Sequence, residues 1–269
     1  MSVTRFAPSP TGLLHLGHAY AALFAAREGE SFLVRIEDID GTRVRPEFER
    51  AIFDDLGWLG LGWEEPVRRQ SEHLDDYAAA LAQLEAGGFV YPCFCTRKEI
   101  EAAISAPHGP AGALYPGTCR DLPEAEVARR REAGAAFALR LDVARAIDAV
   151  GELAWSDRGL GERVARPELL GDVVLARKDI ATSYHLAVVV DDALQGISLV
   201  TRGEDLVEST HVHRLLQELL GLPVPQWWHH RLIVNDEGRR LAKRDEAQTL
   251  RALREGGATP EQIRSRLGF

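Results

Sequence analysis

The chain has 269 residues, 45% hydrophobic and 27% charged, with a formal net charge of −9. That is enough apolar material for one large folded unit or two smaller ones, and the negative balance excludes a uniformly basic nucleic-acid glove. No apolar run reaches the roughly 20 residues of a membrane helix, the start MSVTRFAPSP lacks a secretory core, and three cysteines cannot all pair, so a cytoplasmic protein that does not engage membranes is expected.

Residues 2–6 read as a strand, and Pro8-Ser9-Pro10-Thr11-Gly12 as a turn-forming loop. Leu16, Tyr20, Leu23 and Phe24 recur at helical spacing and predict a helix over 17–27. Residues 32–36 form a second strand ending at Glu37-Asp38. This β-loop-α-β start is that of a doubly wound nucleotide-binding sheet. Helical patterns follow over 46–56 and 71–85. Gly87-Gly88 then leads into an apolar stretch over 89–95 and a Gly- and Pro-rich loop over 106–117.

Residues 137–141 and 173–176 read as strands of a separate small unit. The α/β pattern resumes with an apolar run over 186–190, another over 197–201, a helix over 209–220 and a strand over 231–234. Two short helices end the chain, the second capped by Thr259 with Pro260 at its first position. The expected architecture is an α/β, Rossmann-type doubly wound parallel sheet split by a small α+β insertion, with short C-terminal helices. The segments are 1–86 and 179–238 for the two catalytic halves, 87–178 for the insertion, and 239–269 for a basic loop and the last helices.

Charge is uneven: residues 231–269 carry 9 basic and 6 acidic side chains, so any polyanion meets this stretch first. Of 32 basic residues only Lys98, Lys178 and Lys243 are lysines. A lysine in an arginine-using chain points to a need for a compact ammonium.

His15 and His18 stand three apart at a predicted helix start, on one face and beside unpaired backbone N–H groups that suit phosphate. Their imidazoles can donate to charge developing on phosphate, and Gly17 leaves room for a nucleobase. Arg239-Arg240-Leu241-Ala242-Lys243-Arg244 follows the last predicted strand. Such a basic loop can close over a triphosphate.

Together these resemble the two signatures of class I aminoacyl-tRNA synthetases. His15-Leu16-Gly17-His18 matches the first at its His, Gly and His positions, and the second is matched loosely, mainly at Lys243. R-F-A-P-S-P-T-G-x-L-H-L-G-H, R-I-E-D-I-D-G-T-R at 35–43, Y-H-L-A-x-V-V-D-D at 184–192 and R-G-E-D-L at 202–206 are similar to the glutamyl branch, in order and over most of the chain. Only 25 residues follow Arg244, where a full glutamyl-tRNA synthetase carries large helical domains that read the anticodon. The chain therefore resembles the truncated family of glutamyl-Q tRNA(Asp) synthetases, with no anticodon-binding domain.

That resemblance implies activation of L-glutamate by ATP, with Mg²⁺, and transfer to queuosine in the anticodon loop of tRNA(Asp), by a protein expected to be a monomer. His15, His18 and Lys243 are the implied catalytic residues, joined by Gly17 and Arg244 in holding ATP. Arg5 and Arg202 suit the glutamate carboxylates, Glu37 suits the ammonium, Tyr184 adds a phenol, and Phe6, Ala7, Pro8 and Ser9 complete the pocket. Val188 stands where glutamyl-tRNA synthetases commonly show Asn, which implies the loss of a polar contact.

Cys93, Cys95 and Cys119 suit one structural Zn²⁺, whose tetrahedral site needs a fourth group. His108 or a water is the ordinary choice; the family resemblance puts Tyr115 there. Three rival readings are separable. A small-molecule adenylyltransferase lacks glutamate-dependent exchange, a non-catalytic tRNA-binding module lacks exchange altogether, and a conventional glutamyl-tRNA synthetase fragment charges the tRNA 3′ end.

Overall fold

The computed structural model describes residues 1–96, 98–100, 114–177, 181–233 and 249–269. It opens with β1 (Val3–Phe6), α1 (Leu16–Glu28), β2 (Ser31–Ile36), α2 (Pro46–Trp58), β3 (Glu64–Arg69) and α3 (Leu74–Ala86). The three strands pair in parallel in the order β1-β2-β3. β2 is buried along nearly its whole length, as expected of a strand covered on both faces. β3 was not anticipated: its sequence, EEPVRR, has no apolar alternation, and Val67 is its one buried residue.

β4 (Val90–Cys93) follows, then α4 (Glu124–Glu132), β5 (Ala138–Leu141) and α5 (Val143–Val150). Next come β6 (Ala154–Asp157), β7 (Gly161–Val164) and β8 (Val174–Arg177). β4, β5 and β8 make a small antiparallel sheet. β6 and β7 do not belong to it. They form a hairpin, and β6 pairs in parallel with a later strand of the main body.

The second half comprises α6 (Tyr184–Leu194), β9 (Leu199–Gly203), α7 (Val207–Leu220) and β10 (Gln226–His230). The sheet order is β7-β6-β10-β9. Its β9 edge meets β1, where the Ser198 amide donates to the Val3 carbonyl at 3.1 Å. One element left open by the sequence is settled here, and one expectation is corrected. The apolar run over 186–190 is helical, because Ser183 caps α6 by accepting from the Leu186 amide. All five of its residues are buried, and a short run buried on every side carries no period to separate helix from strand. The strand expected over 231–234 lies at Gln226–His230, filled by aromatic residues such as the buried Trp227.

α8 (Leu250–Glu255) and α9 (Pro260–Leu267) close the chain. Thr259 caps α9, forms a capping box with Gln262, and precedes Pro260 in the first turn, as the sequence predicts. Ile263 and Leu267 bury into the same core as α1 and α2. The expected strand end at Val234 and the Lys243 and Arg244 positions lie outside the described residues, as does His108.

One buried ion network joins the halves. Asp191 and Asp192 are neighbours on α6 and meet one arginine from each of three parallel strands. Arg5 of β1 donates to both Asp192 oxygens, at 2.9 and 3.4 Å. Arg35 of β2 reaches Asp192 at 2.7 Å and lies 3.6 Å from Asp191. Arg68 of β3 bonds Asp191 at 2.6 Å, and Gln70 and Tyr77 satisfy the rest of that carboxylate. Burial by itself lowers the Arg35 pKa, but the carboxylates of Asp192, Glu37 and Asp191 outweigh it and hold the guanidinium charged.

Candidate functional site

The carboxyl ends of β1, β2, β9 and β10 converge on the N-terminus of α1, around a cavity of about 490 Å³. A crevice at strand carboxyl ends, between the two halves of a doubly wound sheet, is the usual ligand site. Arg5, Phe6, Ala7 and Ser9 line it from β1 and the following loop, and His15, Gly17 and His18 from the start of α1. Glu37, Tyr184 and Arg202 complete the set that the sequence singles out. Pro8 is buried behind this wall, where its carbonyl accepts from the Glu37 amide at 3.0 Å. Val188 is 2% exposed in the core and is not part of the cavity wall.

His15 is the N-cap of α1. Its Nδ1 accepts from the Gly17 amide at 3.0 Å, and His18 Nδ1 accepts from the His15 amide at 3.2 Å. A ring nitrogen that accepts cannot carry the proton, so each imidazole keeps its proton on Nε2. The two ring centroids lie 3.9 Å apart, with the planes tilted by 35°. Gly17 is required by this cap itself: a Cβ there sits 2.9 Å from the His15 ring.

The described chain leaves this cavity at Ile233, on its wall, and returns at Thr249, which is bridged to His15. Leu250 donates to the Leu14 carbonyl at 2.8 Å.

The two cavity arginines differ in their partners. Arg5 is held by Asp192 and by the Thr201 carbonyl. Arg202, 6% exposed, donates to His229 Nε2 at 3.1 Å, His213 Nδ1 at 3.0 Å and Thr210 Oγ1 at 2.6 Å. Burial and the Arg202 charge push His229 down to about 4, and the same two causes push His213 well down. Burial, then Arg202, lowers His185, on His213 Nε2, to about 4. Arg202 therefore rests on neutral acceptors, with no ion-pair partner among the described residues. Burial pushes its own pKa down, which marks a cation short of counter-charge. Burial likewise raises Glu37 against the pull of Arg35 and Arg5, so an ammonium placed there favours the ionised carboxylate.

A second cavity, of about 520 Å³, shares Ser9, Glu37 and Tyr184 with the first. Away from both, the Sγ atoms of Cys93, Cys95 and Cys119 lie within 4.8 Å of one another. Tyr115 Oη lies 3.2 Å from Cys93 Sγ and 3.6 Å from Cys95 Sγ, and accepts from the Cys119 amide at 2.9 Å.

The family model for the catalytic domain of class I tRNA synthetases (E and Q) matches residues 1–268. The glutamyl-Q tRNA(Asp) synthetase of Rhodobacter capsulatus is 50% identical, over 99% of this chain and 100% of its own length. That of Nocardia farcinica is 47% identical, over 96% and 81%. The chain belongs to the glutamyl-Q tRNA(Asp) synthetase family. The glutamate-tRNA synthetase of Elizabethkingia anophelis superposes with a TM-score of 0.76 at 33% identity, over 91% of this chain and 53% of that one. The chain thus spans about half the length of that conventional synthetase.

For this glutamyl-Q tRNA(Asp) synthetase family member, sequence reasoning missed several wall residues: Thr201, Asp205, His230 and the stretch 231–233. The last four follow from the true end of β10, which the apolar Leu-Ile-Val run had displaced. Among the described residues no helix is long and apolar enough to cross a membrane.

The neutral histidines predict a pH dependence of stability. His185 titrates near 6.5 in an unfolded chain and at about 4 in the fold. Between those values the unfolded state binds more protons, so stability present above about 6.5 is lost as pH falls. The urea midpoint of the wild type should drop from pH 7 to pH 5, and His185→Gln should flatten that drop. An unchanged slope in the variant contradicts the assignment.

Proposed function

We propose that the protein activates L-glutamate with ATP and transfers it to queuosine in the anticodon loop of tRNA(Asp). The observation that carries this reading is one cavity holding both the paired-histidine start of α1 and the uncompensated Arg202. A carboxylate receptor then sits beside a phosphate receptor.

In the first step an α-carboxylate oxygen of glutamate attacks the α-phosphorus of ATP. A P–O bond forms, the bond to the bridging oxygen breaks, and pyrophosphate leaves with that electron pair. His15 and His18 donate through Nε2–H to phosphate oxygens, and the α1 N-terminus adds its dipole. Lys243 and Arg244 neutralise the pyrophosphate, and Mg²⁺ enters with ATP as part of the substrate. Arg202 and Arg5 receive the carboxylates, Glu37 the ammonium and Tyr184 a hydrogen bond, while Phe6, Ala7, Pro8 and Ser9 shape the pocket.

In the second step a queuosine hydroxyl attacks the glutamyl carbonyl. An ester bond forms, AMP leaves, and the hydroxyl proton passes to a phosphate oxygen. The adjoining cavity supports this step by leaving room for an acceptor next to Glu37 and Tyr184. Single-stranded loop bases can be splayed into such pockets. Family membership supports the choice of acceptor.

The cysteine cluster fits a structural Zn²⁺. Zinc–sulfur bonds of about 2.3 Å put tetrahedral sulfurs roughly 3.8 Å apart, and the three Sγ atoms lie within 4.8 Å here. Tyr115 Oη, bonded to the cluster, supplies the fourth donor and completes a zinc-containing insertion. When bound, the ion would cross-link β4 to the segment around Cys119.

Glutamate transfer to three tRNA(Asp) preparations tests the acceptor: queuosine-containing, queuosine-free, and queuosine-containing without the terminal adenosine. Transfer is expected to the first and third only, and a requirement for the terminal adenosine restores 3′ charging. For the metal, elemental analysis should find about one zinc per chain, as one tetrahedral site requires. Cys119→Ser should lose most of it, and metal-free wild type of unchanged stability would refute the site.

A further inference from the structure

Arg202 is the exception among the buried and half-buried arginines of this region. Arg5, Arg35 and Arg68 each bond a carboxylate directly. Arg202 meets a carboxylate only through a ring. Its Nε donates to His229 Nε2 at 3.1 Å, and His229 Nδ1 lies 2.7 Å from Asp157 Oδ2. A guanidinium only donates, so His229 Nε2 must accept. The proton of a neutral imidazole then sits on Nδ1, where Asp157 accepts it.

Asp157 is itself fixed. Its Oδ1 accepts from the Gly159 and Leu160 amides, both at 2.8 Å, and Oδ2 from the His229 amide at 3.0 Å. The tight turn between β6 and β7 thus orients the carboxylate, the carboxylate sets the tautomer, and the tautomer anchors the guanidinium. A carboxylate placed directly on Arg202 would cancel the charge that a ligand needs. One imidazole in between holds the geometry and leaves the charge available.

We propose that Asp157 and His229 are positioning residues that hold Arg202 as an uncancelled carboxylate receptor for the amino-acid substrate. The proposal rests on the reading that Arg202 binds a glutamate carboxylate. It adds what anchors that arginine without a carboxylate of its own, whereas Arg5 is also bonded to Asp192. Neither positioning residue lines the cavity, so both act through Arg202. The hairpin that carries Asp157 explains why a strand from the middle of the chain pairs beside β10.

The test is glutamate-dependent ATP–pyrophosphate exchange with the full chain. His229→Leu removes the acceptor, whereas His229→Gln keeps an oxygen for Arg202 and an N–H for Asp157. His229→Leu should raise the glutamate KM about ten- to a hundred-fold, the range for losing a hydrogen bond to a charged group. The ATP KM should stay within about two-fold, since uniform loss would mean general damage. His229→Gln should recover most of the glutamate KM.

Wild-type glutamate KM in His229→Leu, a parallel rise in both KM values, or no rescue by Gln overturns the proposal. Should His229→Leu fail to fold, nitrogen NMR of the wild-type ring decides. A proton on Nδ1 alone at pH 7 is expected, and a proton on Nε2 refutes the relay. Arg202→Lys separates the two levels. An unchanged glutamate KM there removes the reading of Arg202, while a raised one beside a wild-type-like His229→Leu removes only the relay.

Discussion

Two adjacent aspartates on α6 hold an arginine from each of β1, β2 and β3, and the rest of the molecule is arranged around those pairs. Charges taken out of water must find partners, because removing one member of a buried pair costs about 3–5 kcal/mol. Arg35 and Asp191 are fully buried, so the parallel strands and α6 can adopt one relative position only. The aspartates sit near the C-terminus of α6, where the helix dipole disfavours negative charge; three guanidiniums offset that. With α6 fixed, its first residue, Tyr184, is delivered to the cavity wall.

Against this frame, Arg202 faces the cavity with no ion-pair partner of its own among the described residues. Arg202 hangs on two imidazoles and a hydroxyl, and the carboxylate of Asp157 reaches it only through the His229 ring. Across the cavity, two imidazoles at the head of α1 turn their acceptor nitrogens to the backbone and so present donors outward. The division of labour is electrostatic. In the proposed reaction Arg202 takes an anion in the ground state, and the α1 end takes charge that grows on phosphate.

The parts legible in the sequence are those whose physics is local. H-L-G-H works as a cap and first turn, so spacing alone places His15, Gly17 and His18 together. Thr259-Pro260 announces α9 for the same reason. Arg5, Glu37, Tyr184 and Arg202 were legible through motif resemblance, and the fold gathers them around one cavity. Asp157 was not legible. Its importance comes from a partner 72 residues away, and β6 offers only four residues of pattern. β3 was hidden because ion pairs cover its surface in place of apolar packing. The run at 186–190 had no legible element type because complete burial erases periodicity. Cysteine spacing suggested a metal, but only folding brings the Tyr115 oxygen into the same cluster.

The central claim is that Arg202 faces the cavity as a cation without a carboxylate partner of its own. Free glutamate carries one surplus negative charge and glutamine none, whichever carboxylate meets Arg202. Calorimetric titration of the wild-type protein with both amino acids tests this most directly. Glutamate should bind about a hundred-fold more tightly or better, because the neutral amide leaves a buried guanidinium unpaired. Equal affinity for the two would contradict the account.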